Sequence, residues 1–153
     1  MAFHYFWQGP FSNFYTAPFT DPKTGLRFFC SEQCFMWYKA ITFGDIETSK
    51  RILVASDPLQ CKHLGREVKP YDEAKWVALR EEIMEYAVTL KFQQNADLKV
   101  LLKSIPDDFV EASPFDAIWG IKMDEKTARK VDPSKWRGLN LLGKITTRVR
   151  DKI

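Results

Sequence analysis

The stretch from Asp72 to about Gln94 constrains the fold most. Trp76, Leu79, Ile83, Ala87 and Leu90 recur there at three- and four-residue steps, and they share one face only if the backbone is helical. The spacing predicts a long amphipathic helix that buries this stripe. Shorter helices are predicted before it. Ser31 is suited to cap a helix running to about Phe43 and closed by Gly44, Asp45 a second running to about Ala55, and Asp57 followed by Pro58 a third. The third should be short, because Gly65 falls where a helix C-terminus favours a left-handed residue. Leu98, Leu101, Leu102 and Ile105 predict a further helix, and Leu142, Ile145, Val149 and Ile153 a final amphipathic one. Residues 109–121 lose this periodicity and carry Pro114 and Gly120, so they read as strand and loop. Residues 3–29 mix aromatic side chains with Gly9, Pro10, Pro18, Pro22 and Gly25, a pattern of short strands and turns. The expected fold class is α+β: a single, predominantly helical domain with a small β part over residues 1–153.

Composition narrows the function classes. A chain of 153 residues that is 45% hydrophobic can bury one continuous core. Its 14% aromatic content exceeds what such a core needs, so some rings are expected to line a pocket. A net charge of +3 is too weak to imply electrostatic nucleic-acid binding, yet suits a phosphate-bearing ligand. The first ten residues lack the basic flank and apolar run of a signal peptide, and no segment is long and apolar enough to span a membrane. A cytoplasmic protein without membrane association is expected. Cys30, Cys34 and Cys61 are an odd, sparse set, which predicts reduced thiols. With His63 they would nominally make four zinc ligands, but they fall in helix-like text rather than as close pairs in loops. Buried apolar thiols are therefore expected, and no metal or cofactor.

Three aromatic and polar clusters lie in poor helix formers: residues 7–14, 113–120 and 132–140. In the first, Phe11-Ser12-Asn13-Phe14 sets two hydrogen-bonding side chains between two rings, suited to holding a base or sugar, although a turn closed by Phe packing would look the same. Glu32 and Lys39 are seven residues apart on a predicted helix, which returns them to nearly one face with Phe35 and Met36 between them. A carboxylate and an amine would then share an apolar-walled pocket; alternatively Glu32 complements the helix N-terminus and Lys39 reaches solvent. Asp116, beside Trp119 and Gly120, is a second carboxylate near a large ring, or a structural turn residue. Lys144, Arg148, Arg150 and Lys152 read as a solvated helix face, the alternative being a phosphate-contacting patch.

Taken in order, Ser12-Asn13-Phe14, Glu32 with Lys39, Leu64-Gly65-Arg66, Glu111 to Asp116 running into Trp119-Gly120, and Trp136-Arg137-Gly138-Leu139-Asn140-Leu141-Leu142-Gly143 resemble the NADAR, or YbiA-like, family over almost the whole chain. The resemblance implies an N-glycosidase that cleaves a ribose–nitrogen bond in phosphoribosyl-pyrimidine intermediates of riboflavin synthesis or in ADP-ribosylated guanine. By matching position, Glu32, Lys39 and Asp116 would be the reactive groups. Ser12, Asn13, Phe14, Trp119, Gly120, Trp136 and Asn140 would shape the substrate site, and Arg66 would hold a phosphate through its planar fork. This chain departs from the family in carrying Gln33-Cys34 where His-Tyr often follows the Glu, and Lys122 where a Gly often follows Trp-Gly-Ile. The implied partner is a small phosphoribosyl or ADP-ribosyl substrate. An ADP-ribosylated base in a nucleic-acid strand would suit the same groups. The alternative is a non-catalytic module that binds a nucleotide or ADP-ribose.

Overall fold

The computed structural model describes residues 2–153. In chain order its elements are β1 (Phe3–Phe6), β2 (Phe19–Thr20), β3 (Arg27–Phe28), α1 (Ser31–Thr42), α2 (Ile46–Leu53), α3 (Pro58–Arg66), α4 (Glu73–Gln94), α5 (Ala96–Lys103), β4 (Asp108–Glu111), α6 (Glu125–Ala128), a short 3-10 turn (Pro133–Lys135) and α7 (Leu141–Lys152). The fold is α+β and mostly helical, as the periodicity predicts. β1 pairs in parallel with β4, from Phe3 opposite Asp108 to Phe6 opposite Glu111. β2 and β3 form a separate antiparallel pair. The chain divides into two compact units, Asn13–Ala96 and the residues up to Ser12 together with Asp97–Ile153.

In the unit formed by residues 13–96, α1 is the central helix, and α2, α3 and α4 all pack on it. Every residue from Ser31 to Trp37 is buried. Asp45 and Asp57 cap α2 and α3 as expected and Asp72 caps α4, each accepting a backbone N–H three residues on. The cap of α1 differs from expectation. Cys30 holds the N-cap position without a side-chain bond, and Ser31 is the first helical residue. Its hydroxyl donates instead to Asn13 Oδ1 at 2.8 Å, a partner eighteen residues away. Gly65 also departs from its expected role. It lies inside α3, where a Cβ would stand 1.9 Å from Met36 Sδ, so it permits close packing of α3 on α1 rather than ending a helix. Gln33 and Cys34 are both buried. Gln33 accepts from Phe29 N–H at 2.8 Å and donates to Ile52 O at 3.1 Å, tying the chain around α1 to the end of α2.

The stripe on α4 forms with Trp76, Ala87 and Leu90 buried and Leu79 and Ile83 half-buried. Toward its C-terminus the buried face widens to take in Met84, Val88, Lys91 and Phe92. Lys91 is 1% exposed, and its ammonium lies 5.0 Å from the Phe92 ring centre. Nothing in the periodicity marks this lysine as interior. The three cysteines are free thiols and buried; burial pushes those of Cys30 and Cys61 up to about 12 and that of Cys34 upward as well.

In the other unit, α7 packs on β4. Val110, Ala112, Ile121, Met123 and Ala128 form a core closed by Phe3, Tyr5, Val131 and Trp136. Residues 137–142 are laced to 117–121 by backbone bonds, among them Leu139 N–H to Ala117 O at 2.8 Å and Asn140 N–H to Gly120 O at 3.0 Å. A Cβ on Gly138 would stand 2.2 Å from Gly120 O, so only glycine allows this approach. Of the four basic residues on α7, Lys144, Arg148 and Lys152 are exposed, whereas Arg150 is half-buried and donates to Ile105 O at 2.9 Å.

Burial lowers the Lys91 ammonium to about 7, with the Cys30 thiol acting weakly against that shift. The unfolded chain keeps an ordinary lysine near 10.4, so from about pH 7 upward the unfolded state binds more protons and stability should rise with pH until about 10.4. Lys91→Met removes this dependence. Denaturant melts should therefore show the substitution gaining more stability, or losing less, at pH 6 than at pH 10. An equal effect at both pH values would mean that Lys91 titrates normally.

Candidate functional site

Within residues 13–96 the structure gathers Asn13, Glu32, Lys39 and Arg66. The first turn of a helix leaves backbone N–H groups without partners inside it. In α1, Asn13 supplies what a side-chain cap would: its carbonyl accepts Glu32 N–H at 3.1 Å and its Oδ1 accepts the Ser31 hydroxyl. Its Nδ2 donates to Met84 Sδ at 3.4 Å. Asn13, expected among the substrate contacts, is thus largely engaged in holding the start of α1. Phe14 beside it is exposed, and the Lys62 ammonium stands 5.9 Å from its ring centre.

Glu32 sits in the first turn of α1 and is only 8% exposed, where the helix dipole favours a negative charge. Lys39 follows two turns later, half-buried. The residues that wall it are not those between it and Glu32. Phe35 and Met36 turn inward, Phe35 to meet the Trp76 ring at 5.2 Å and Met36 to meet Gly65. Lys39 Nζ lies instead 4.9 Å from the centre of the Tyr71 ring and 5.7 Å from that of Trp76, and Phe43 packs at a tilt against both rings. Partial burial holds the Lys39 amine below its usual range. The Glu73 and Glu32 carboxylates work against this and the Arg66 guanidinium adds to it. Arg66 is exposed at the last position of α3, brought alongside α1 by the Gly65 contact. Glu32, Lys39 and Arg66 therefore form one electrostatic group. Tyr71 is the residue of this group that sequence reasoning missed, since it precedes α4 in a segment without a motif.

The remaining expected residues belong to the other unit. Asp116 is half-buried, and its Oδ1 accepts the backbone N–H groups of Ile118 and Trp119, both at 2.8 Å. Ser113 Oγ in turn accepts Asp116 N–H at 3.2 Å. Trp119 is half-buried, and its carbonyl accepts from Leu142 N–H at 3.0 Å. Gly120 is buried, with room for no side chain against Glu111 O. Asn140 is 7% exposed in a left-handed conformation; its Oδ1 accepts Glu111 N–H at 2.9 Å and its Nδ2 donates to Phe109 O at 3.2 Å. Trp136 packs edge-on against Phe3 and Tyr5, 5.2 and 6.4 Å between ring centres. Both side chains are therefore built into the fold of this unit. Ser12 is half-buried, its N–H bonded to Gly9 O. Two rings outside the expected set are exposed next to each other, Trp7 and Phe115, 5.8 Å apart, with Phe115 79% exposed. Lys122 stands at φ +52°, a left-handed position that a glycine fills without strain.

Among the described residues, no group of three or more His, Cys, Asp or Glu side chains is arranged to hold a metal ion, and no helix is long and apolar enough to cross a membrane.

A family profile described as "NADAR domain" matches residues 5–153. The chain is 37% identical to Protein irg-1 of Caenorhabditis elegans, over 94% of this chain and 74% of that one. It is 36% identical to N-glycosidase R617 of Acanthamoeba polyphaga mimivirus, over 93% of this chain and 86% of the relative. The solved structure of the Escherichia coli protein YbiA superposes with a TM-score of 0.78 at 27% identity, covering 98% of this chain and 83% of that one.

If Asn13 and Ser31 hold the start of α1 together, Asn13→Ala and Ser31→Ala should each cost about 1–3 kcal/mol, because each strands a buried polar partner. The double variant should cost less than the sum, by at least about 0.5 kcal/mol. Urea denaturation of the four proteins measures this coupling, and strict additivity would mean that the bond carries no stability.

Proposed function

The chain belongs to the NADAR family and is a hydrolase acting on N-glycosyl bonds, like its relative named an N-glycosidase; we propose that its substrate is a phosphorylated ribose carrying a leaving heterocycle, either ADP-ribosylated guanine or a phosphoribosyl-pyrimidine of riboflavin synthesis. One observation carries the reading: a buried carboxylate and a half-buried amine share one face of α1, with the amine held over two aromatic rings. The profile match across both units supports treating residues 1–153 as one domain.

The chemistry follows from what the bond requires. As the base departs, positive charge grows on the anomeric carbon and ring oxygen, and the Glu32 carboxylate would stabilise it. Lys39 is assigned the nucleophile's role. Partial burial favours its neutral form, whose nitrogen lone pair attacks the anomeric carbon while the base leaves with a proton. The sugar ring opens, its oxygen takes a proton to become a hydroxyl, and an imine joins Lys39 to the former anomeric carbon. Water then adds to the imine and releases the free ribose phosphate and the amine. Asp116 keeps the part of second acid, and Ser12, Phe14, Arg66, Trp119 and Gly120 that of substrate contacts. Asn13, Trp136 and Asn140 are assigned positioning parts, in keeping with their bonds and packing.

Incubating the protein with each substrate and following released base and ribose phosphate by mass spectrometry tests the activity and chooses the substrate. Glu32→Gln should abolish turnover while the protein stays folded and keeps much of its ligand affinity, because volume is kept and only charge is lost. Turnover within about threefold of the unsubstituted enzyme would remove Glu32 from the mechanism. A chain that only binds would release no base and would tolerate this change.

Borohydride added during turnover should leave a sugar-derived mass on the peptide containing Lys39, absent without substrate and absent in Lys39→Arg. Because the neutral amine is the reactive form, the rate should climb with pH and level off below the usual lysine value of about 10.4. Near-normal turnover by Lys39→Arg would leave Lys39 as an electrostatic clamp only.

A further inference from the structure

Arg80 lies on α4 one turn beyond Trp76, and so on the same side of the helix as the ring beneath Lys39. It is half-buried, and its Nε is buried without an acceptor among the described residues. Ion pairs are seen at other arginines, such as Arg51, Arg129 and Arg150. Arginine is rarely drawn inward without a carboxylate, because its five N–H donors then lack acceptors. Its charge nonetheless reaches a defined place: it acts on the hydroxyl of Tyr71, the ring over which the Lys39 ammonium stands. Arg66 acts on Lys39 from α3. Lys39 from α1 and Arg80 from α4 thus both bear on Tyr71, and Arg66 from α3 bears on Lys39. The carboxylates that act there are Glu32 on Lys39, Glu73 on Lys39 and Tyr71, and Asp72 on Tyr71, and Glu73 already accepts the Tyr71 hydroxyl.

We propose that Arg80 is the inner contact for a phosphate group of the substrate, its guanidinium meeting the anion that Arg66 approaches from α3. A phosphate would accept from the terminal N–H groups of the guanidinium, the planar fork that arginine offers and lysine does not. Arg66, exposed at its helix end, would serve as the outer contact. The proposal rests on the glycosidase reading only for which molecule carries the phosphate; the anion site itself is independent of turnover.

Calorimetric titration with inorganic phosphate and with pyrophosphate, at low salt and without substrate, tests it. Pyrophosphate should bind the unsubstituted protein at or below about millimolar concentration, and Arg80→Gln should weaken it about tenfold or more. Arg51→Gln, which loses only an exposed contact to Glu67, should leave it unchanged. If Arg80→Gln does not fold, Arg80→Lys replaces it and should still bind at least about fivefold more weakly, since the charge remains but the fork is lost. In turnover, Arg80→Gln should raise KM with kcat within about threefold. Absence of pyrophosphate binding, or equal affinity in the Arg80 variant, would overturn the proposal even if the enzyme hydrolyses its substrate. Binding that depends on Arg80 in a protein that releases no base would uphold it while the glycosidase reading fails.

Discussion

Asp21 has no exposed surface, yet it is a carboxylate, and the arrangement of α1 and α4 depends on how that charge is satisfied. It accepts the hydroxyl of Tyr38 from α1 and that of Tyr86 from α4, together with Lys23 N–H at 3.0 Å and the Thr24 hydroxyl at 2.9 Å. Burial works to raise its pKa, but these four donors outweigh it and hold the carboxyl below its ordinary value. The same bonds and the loss of water hold both tyrosine hydroxyls above theirs. A carboxylate without such partners would be costly in this position. With them it locks two helices at one point. Lys39 directly follows Tyr38, so turning Tyr38 inward leaves Lys39 about 100° around the helix, at the edge of the interface, where Trp76 of α4 comes beneath it.

The two ends of α1 have opposite requirements, and the site uses both. At its start the Glu32 carboxylate is buried beside a helix N-terminus, and the backbone there is held by Asn13 rather than by a local cap. Two turns on, Lys39 is deprived of part of its water by aromatic rings that offer an ammonium only a weak substitute. An amine that has lost part of its water, two turns from a carboxylate on the same helix, suits a glycosidase with an amine nucleophile. Gly65 helps α3 lie close to α1, since the missing Cβ leaves room for the Met36 side chain.

Much of this was legible in the sequence wherever the cause is local. Helix periodicity and the Asp caps at 45 and 57 depend on residues within one turn of each other, so their spacing reveals them. Ser31 and Gly65 were misread for the complementary reason: their partners, Asn13 and Met36, lie far away in the chain. Lys91 and Arg80 were not legible, because the charge on a side chain argues for exposure even where its helix position falls near the buried face. The motif residues show a different limit. Resemblance picks out Asn13, Trp136 and Asn140 as readily as Glu32, although the first three have side chains engaged in holding loops and core together.

The same distinction shapes what Asp116 can do. Two backbone N–H groups fix its Oδ1, and Ser113 fixes its own backbone, so the carboxylate is held in one orientation with Oδ2 outside those two bonds. A side chain fixed in this way is poorly suited to a part that needs movement and well suited to orienting water or a leaving group. The loop around it is equally constrained, because Gly138 must pass close to Gly120 and Asn140 must reach the backbone of β4. Lys122 is the exception, in a left-handed position that costs a side chain about 1–2 kcal/mol. A loop that tolerates this strain is over-determined by its other contacts, and that rigidity is what holds Asp116 still.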